Sequence, residues 1–116
     1  MKKEEIAEIL GDGTQIKENQ NRNAFEITLL GNEIDVLVTV PYEVHEIFYE
    51  AKDKQGNELL KGWRDHYGET ELEDYKESLL EIAQLIISPE FRLTNNGKTL
   101  EAKNDNWFYF FGYYSS

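Results

Sequence analysis

The sequence predicts an α+β fold: a mostly antiparallel sheet of about five to seven strands, a long amphipathic helix over about 70–87 packed on one face, and a short N-terminal helix. Three observations carry this. A capped stretch with helical apolar spacing lies in the second half of the chain. Runs alternating every second residue lie on either side of it. Strong turn signals join those runs in hairpins.

The helix is read between two marks. Thr70-Glu71-Leu72-Glu73 has the form of a capping box, in which the Thr70 hydroxyl and the Glu73 carboxylate satisfy each other's backbone N–H groups. Glu71, Glu73 and Asp74 suit the positive end of the helix dipole. Pro89 ends the run and pushes Ser88 out of the α region. Leu72, Tyr75, Leu79, Ile82, Ala83 and Ile86 then share a core face, and Glu73, Glu77 and Glu81 form an acidic stripe opposite.

In chain order, Ile6, Ile9 and Leu10 give the N-terminal helix, stopped by Gly11-Asp12-Gly13. A short strand is expected around Ile16, followed by a polar turn over 19–23. Phe25, Ile27 and Leu29 alternate with Glu26 and Thr28. After the Gly31-Asn32 turn, Ile34, Val36, Val38 and Val40 repeat the pattern until Pro41. The stretch 42–54 fits a helix by the spacing of Val44, Ile47, Phe48 and Ala51. Ile47-Phe48-Tyr49 and the turn at Asp53-Lys54-Gln55-Gly56-Asn57 favour a hairpin into Leu59, Lys61 and Trp63, which is the reading adopted. Beyond the helix, Phe91 and Leu93 open a strand, Asn96-Gly97 turns it, and Asn104-Asp105-Asn106 turns again. The last strand is aromatic on both sides, with Trp107, Tyr109, Phe111 and Tyr113 facing one way and Phe108, Phe110 and Tyr114 the other. That pattern predicts a central strand covered on both faces, with an exposed aromatic edge as the alternative.

The 116 residues make one domain, 1–116, able to bury a core unaided. Without cysteine there is no disulfide, zinc thiolate or thiol nucleophile. Met1-Lys2-Lys3 is followed by Glu4, Glu5 and Glu8 rather than an apolar segment, so a cytoplasmic protein is expected. No apolar run approaches the roughly 20 residues that cross a bilayer. Asp and Glu number 23 against 12 Lys and Arg, a net charge of −11, which disfavours nucleic acid and anionic lipid and favours a basic protein.

Catalytic motifs are lacking. Asp65-His66 evokes a carboxylate orienting an imidazole, yet none of Ser78, Ser88, Ser115 and Ser116 sits in a nucleophile elbow. Glu43, His45 and Glu46 have no metal-site spacing, and no phosphate loop is present. No catalytic residue, cofactor or metal is therefore assigned. The distinctive string is Gly62-Trp63-Arg64-Asp65-His66-Tyr67-Gly68, just before the helix cap. Trp63 and Tyr67 either seal the sheet against the helix or, with Arg64, anchor an interface rimmed by Asp65, His66 and Glu69.

That string, with the 53–57 hairpin before it and an acidic amphipathic helix after it, resembles the small acidic immunity proteins of bacterial toxin–immunity systems, including contact-dependent inhibition. The resemblance implies a non-enzymatic protein that binds one cognate toxin, often a basic nuclease, and blocks it. The expected partner-binding residues are Trp63, Arg64, Asp65, His66, Tyr67, Glu69, Glu73, Asp74, Glu77 and Glu81. The alternatives are a phage-encoded DNA mimic that plugs a nucleic-acid enzyme such as a CRISPR nuclease, and a small-ligand or metal-dependent enzyme using His45 and His66. Oligomeric state is left open.

Overall fold

A computed structural model of the chain describes residues 2–11 and 16–113. In order, the elements are helix α1 (Lys3–Leu10), strands β1 (Ile16–Asn19), β2 (Ala24–Leu30), β3 (Ile34–Pro41), β4 (Glu46–Asp53) and β5 (Glu58–Asp65), helix α2 (Glu71–Leu85), and strands β6 (Phe91–Thr94), β7 (Thr99–Asn104) and β8 (Asn106–Gly112). The expectations at Asp12, Gly13 and Tyr114 lie outside the described residues.

The alternating runs form strands where their period places them. β1 to β5 make an antiparallel meander in sequence order. Along β3 the pattern is simple: Ile34, Val36, Val38 and Val40 are buried, and the residues between them are half-buried. The stretch 42–54 enters β4, so the hairpin reading holds. Its turn is held by the Asp53 carboxylate, which accepts from the backbone N–H groups of Gln55 at 3.0 Å and Asn57 at 2.9 Å, while Gly56 takes φ 89°.

The remaining strands do not extend that sheet. β6, β7 and β8 form a separate three-stranded antiparallel sheet, giving eight described strands in two sheets instead of one sheet of five to seven. The connection through α2 carries the chain across the core, and β8 returns against the inner face of β5 while β6 lies near β3. Gly62 makes this approach feasible. A Cβ there would stand 2.5 Å from the Gly112 carbonyl oxygen and 2.5 Å from a ring carbon of Phe111. The shared core joins Ile6 and Leu10 of α1, Tyr75, Leu79, Ile82 and Leu85 of α2, the inner face of the meander, and Phe91, Leu100, Phe110 and Phe111.

The C-terminal strand is an edge strand, not a central one. Its strict alternation fails because the pairing with β7 shifts between Leu100↔Phe111 and Glu101↔Tyr109, leaving Phe110 as the extra residue of a β-bulge. A bulge turns two successive side chains to one side, and Phe110 and Phe111 are both buried. Trp107 stays outside, half-buried under the Arg92 guanidinium 4.2 Å from its ring centre.

Helix α2 also departs in detail. It spans 15 residues, Glu71–Leu85, and no capping box forms. Thr70 donates instead to the Asp74 carboxylate at 2.8 Å, with its backbone at φ −103°, ψ 17°. Leu72, expected in the core, is exposed, and Ser78 takes a buried position on that face. No helix among the described residues is long and apolar enough to cross a membrane.

Candidate functional site

The string that precedes α2 begins under the alternation of β5, and this divides its first residues between two surfaces. On β5, Trp63 and Asp65 point one way, Trp63 half-buried and Asp65 exposed, while Arg64 points inward beneath the helix; just past the strand, His66 is buried and Tyr67 exposed. Arg64 donates to Ser78 Oγ at 2.9 Å, to Glu81 Oε2 at 3.1 Å and to the carbonyl oxygen of Phe110. One guanidinium thus joins β5, α2 and β8. Its fixed fork of donors suits three acceptors on different elements, which an ammonium would serve less well.

His66 continues the network. Its Nδ1 lies 2.8 Å from the His45 carbonyl oxygen, which can only accept, so Nδ1 carries the hydrogen. Its Nε2, 2.9 Å from Ser78 Oγ, then accepts from the serine hydroxyl. Ser78 in turn accepts from Arg64, so the chain of donors is consistent along its length. His45 pairs through Nδ1 with Glu71 Oε2 at 2.8 Å, and the Tyr75 ring packs against both imidazoles at 4.8 and 5.3 Å. Five polar side chains therefore lock the start of α2 onto β4 and β5. Ser78 was missed in the sequence, although a serine amid Tyr75, Leu79 and Ile82 on a core face is a signal that a buried partner awaits it.

Ser78 and His66 have the spacing of a nucleophile and its base, but not the setting. They are only 3% and 6% exposed. The far nitrogen of His66 meets a backbone carbonyl rather than a carboxylate, and Arg64 donates into the serine oxygen, which lowers its nucleophilicity. The arrangement fits a structural junction. Among the described residues, no three His, Asp or Glu side chains are grouped to hold a metal ion.

The outer side of the helical layer has a different character. α1 packs along α2. Glu4, Glu5 and Glu8 lie on α1 and Glu71, Glu73, Asp74, Glu77 and Glu81 on α2, against Lys3 and Lys76 alone. Glu71 and Glu81 are turned to His45 and Arg64, and Asp74 accepts from Thr70. Glu69, Glu73 and Glu77 are exposed, and no cation pairs with them among the described residues. The basic residues are largely committed: on the layer itself Lys3 to Glu18, and elsewhere Lys54 to Asp35, Lys61 to Glu58, Arg92 to Glu101 and Lys52 to Glu50. Leu80, at 50% exposure, follows Glu73 by seven residues and so places an apolar side chain along the same outward line of the helix, while Ile87, just beyond the helix end, is 92% exposed. Of the residues expected to bind a partner, the structure gathers Glu69, Glu73, Asp74 and Glu77 on this surface with Tyr67 exposed before it, while Asp65 is exposed on the same side of β5 as Trp63. It turns Arg64, His66 and Glu81 to internal bonds and Trp63 to the far face of the sheet.

The fold and this layer define a class: an α+β protein whose two helices present uncompensated carboxylates over a rigid polar junction. Comparison with protein-family models, curated proteins and solved structures returned no match, so the reading of function rests on this geometry.

Proposed function

We propose that the protein is a non-enzymatic, cytoplasmic binding protein whose acidic helical layer receives a basic protein partner. The observation that carries this is the contrast in neutralisation: most lysines and arginines are paired, while Glu69, Glu73 and Glu77 face outward without a countercharge. Such a surface steers a cationic partner and raises its association rate. Leu80, Ile87 and Tyr67, all exposed, supply the apolar contacts that slow dissociation. The junction of Arg64, His66 and Ser78 beneath supports the reading by fixing the helix in advance of binding, which reduces the ordering cost.

In its most specific form, the partner is a cognate basic toxin, a nuclease being the natural class, occluded electrostatically as in immunity proteins. The chain is then expressed beside its toxin, and the test follows from that. The neighbouring gene product, purified and assayed against this protein by stopped-flow, should associate at a rate that falls steeply between low and high salt. Glu73→Lys with Glu77→Lys should slow association further. A rate insensitive both to salt and to the double reversal overturns the proposal.

A further inference from the structure

Only one face of the five-stranded meander meets the core. On the other, the register places Thr39, Phe48 and Trp63 side by side across β3, β4 and β5, with Leu37 beside Glu50 one row away. With Ala24 and Pro41 these side chains line a groove of about 710 Å³. That volume falls within the roughly 300–1,000 Å³ of small-molecule sites. Phe48 contributes 40% of its surface to solvent there, on a strand whose opposite side, Ile47 and Tyr49, is buried. The groove is separate from the helical layer, which covers the other face of the same sheet.

The charges around it are unevenly matched. Lys61 pairs with Glu58 at 3.2 Å, and Glu50 with Lys52 at 3.5 Å. Arg22, from the turn before β2, also lines the groove, and its guanidinium has no partner among the described residues. In a chain of net charge −11, the one unneutralised charge at this apolar groove is positive.

We propose that this groove binds a small amphipathic anion: an aromatic or branched apolar body lying on Leu37, Pro41 and Phe48, with a single carboxylate held by Arg22. A guanidinium matches a carboxylate with two parallel hydrogen bonds. The net negative charge of the protein opposes a larger anion or a polyanion, which restricts the class to a compact, singly charged ligand.

The probe is 1-naphthaleneacetate, with neutral 1-naphthaleneacetamide as its control, titrated into the full chain and followed by amide chemical shifts. Saturable shifts are expected at outward residues of β2 to β5 and at the Trp63 indole. The amide should bind about tenfold more weakly, as should the acid to Arg22→Gln. Phe48→Ser, at an exposed position, should remove binding while leaving the dispersed spectrum of a folded protein. Equal affinity of acid and amide, unchanged binding by Arg22→Gln, shifts centred away from this face, or the lack of saturable shifts each overturns the proposal. Charge reversal at Glu73 and Glu77 should leave this binding intact, so its outcome is separable from that of the helical layer.

Discussion

Replacing Arg64 by methionine tests the junction on which the helical layer stands. Methionine keeps the apolar stem and removes the donors. Ser78 Oγ and the Phe110 carbonyl each lose a charge-assisted hydrogen bond in buried surroundings, about 1.5–3 kcal/mol apiece. The pair with Glu81 is partly exposed, at 24% and 36% for the two side chains, so screening holds its share to about 0.5 kcal/mol. A total of about 3.5–6.5 kcal/mol follows, which at roughly 4 °C per kcal/mol for a domain of this size lowers Tm by about 15–25 °C. The loss should be local in origin. Since Arg64 ties β8 to β5 and α2, amide exchange should accelerate most in β6 to β8 and least in β2 and β3. Ser78→Ala in a double-mutant cycle with Arg64→Met should show coupling above about 1 kcal/mol. Calorimetry with a Tm loss under about 4 °C, or exchange that quickens equally in β2 and β3, would refute the reasoning.

Other expectations concern single contacts. Gly62→Ala drives a methyl to within 2.5 Å of β8 backbone, and chemical denaturation should show a loss of about 2–3 kcal/mol with the Phe111–Tyr49 stack displaced. The buried Tyr75 hydroxyl has no hydrogen-bond partner, so Tyr75→Phe should stabilise by about 1 kcal/mol in urea; a destabilisation above that amount would show that the hydroxyl is satisfied. Burial pushes the Tyr75 phenol up to about 12, so its contribution is full below pH 10 and lost as pH rises from 10 through 12; Tyr75→Phe should reduce alkaline destabilisation in that window. Hydrogen bonds from Asn57, and then from the Gln55 and Gly56 backbone, hold the Asp53 carboxyl below its ordinary 3.8. The β4–β5 turn should therefore stay ordered until acid protonates it, and a carboxyl carbon titrating at or above 3.8 by NMR would contradict the turn geometry.

What was legible in the sequence is what depends on neighbours along the chain. Strand alternation, α1, the 53–57 turn and the Asn96-Gly97 turn each follow from local sterics and period. The partition into two sheets does not, because β6 carries no mark telling whether it adds beside β5 or packs across it; the choice is recorded in Gly62, small where β8 crosses, and in Gly31, small against the Phe91 ring of β6. The bulge at Phe110 was hidden for a similar reason, since inserting one residue into a ladder leaves composition unchanged. Thr70 has the right neighbours for a capping box, yet Asp74 competes for its hydroxyl. Arg64 and His66 look like interface residues by type. Only their parity along β5, with Gly62 and Leu60 inward, indicates that they face the core.

The acids of α2 serve two purposes, and this sharpens how the binding proposal is judged. Glu81 is half-buried and bound to Arg64, whereas Glu77, one turn earlier, is exposed and unpaired. Both are single carboxylates on one helix, so any effect of net charge alone is the same for Glu77→Gln and Glu81→Gln. Their local effects differ. Neutralising Glu81 weakens the junction and should lower stability by about 0.5–1 kcal/mol. Neutralising Glu77 relieves its neighbours Glu73 and Glu81 and should leave stability unchanged or slightly raised. For a basic partner docking on the outer line of α2, the order inverts: Glu77→Gln slows association more than Glu81→Gln does. Equal slowing by the two would mean that the partner senses only the total charge of the chain, and the helical layer would lose its claim to be the binding surface.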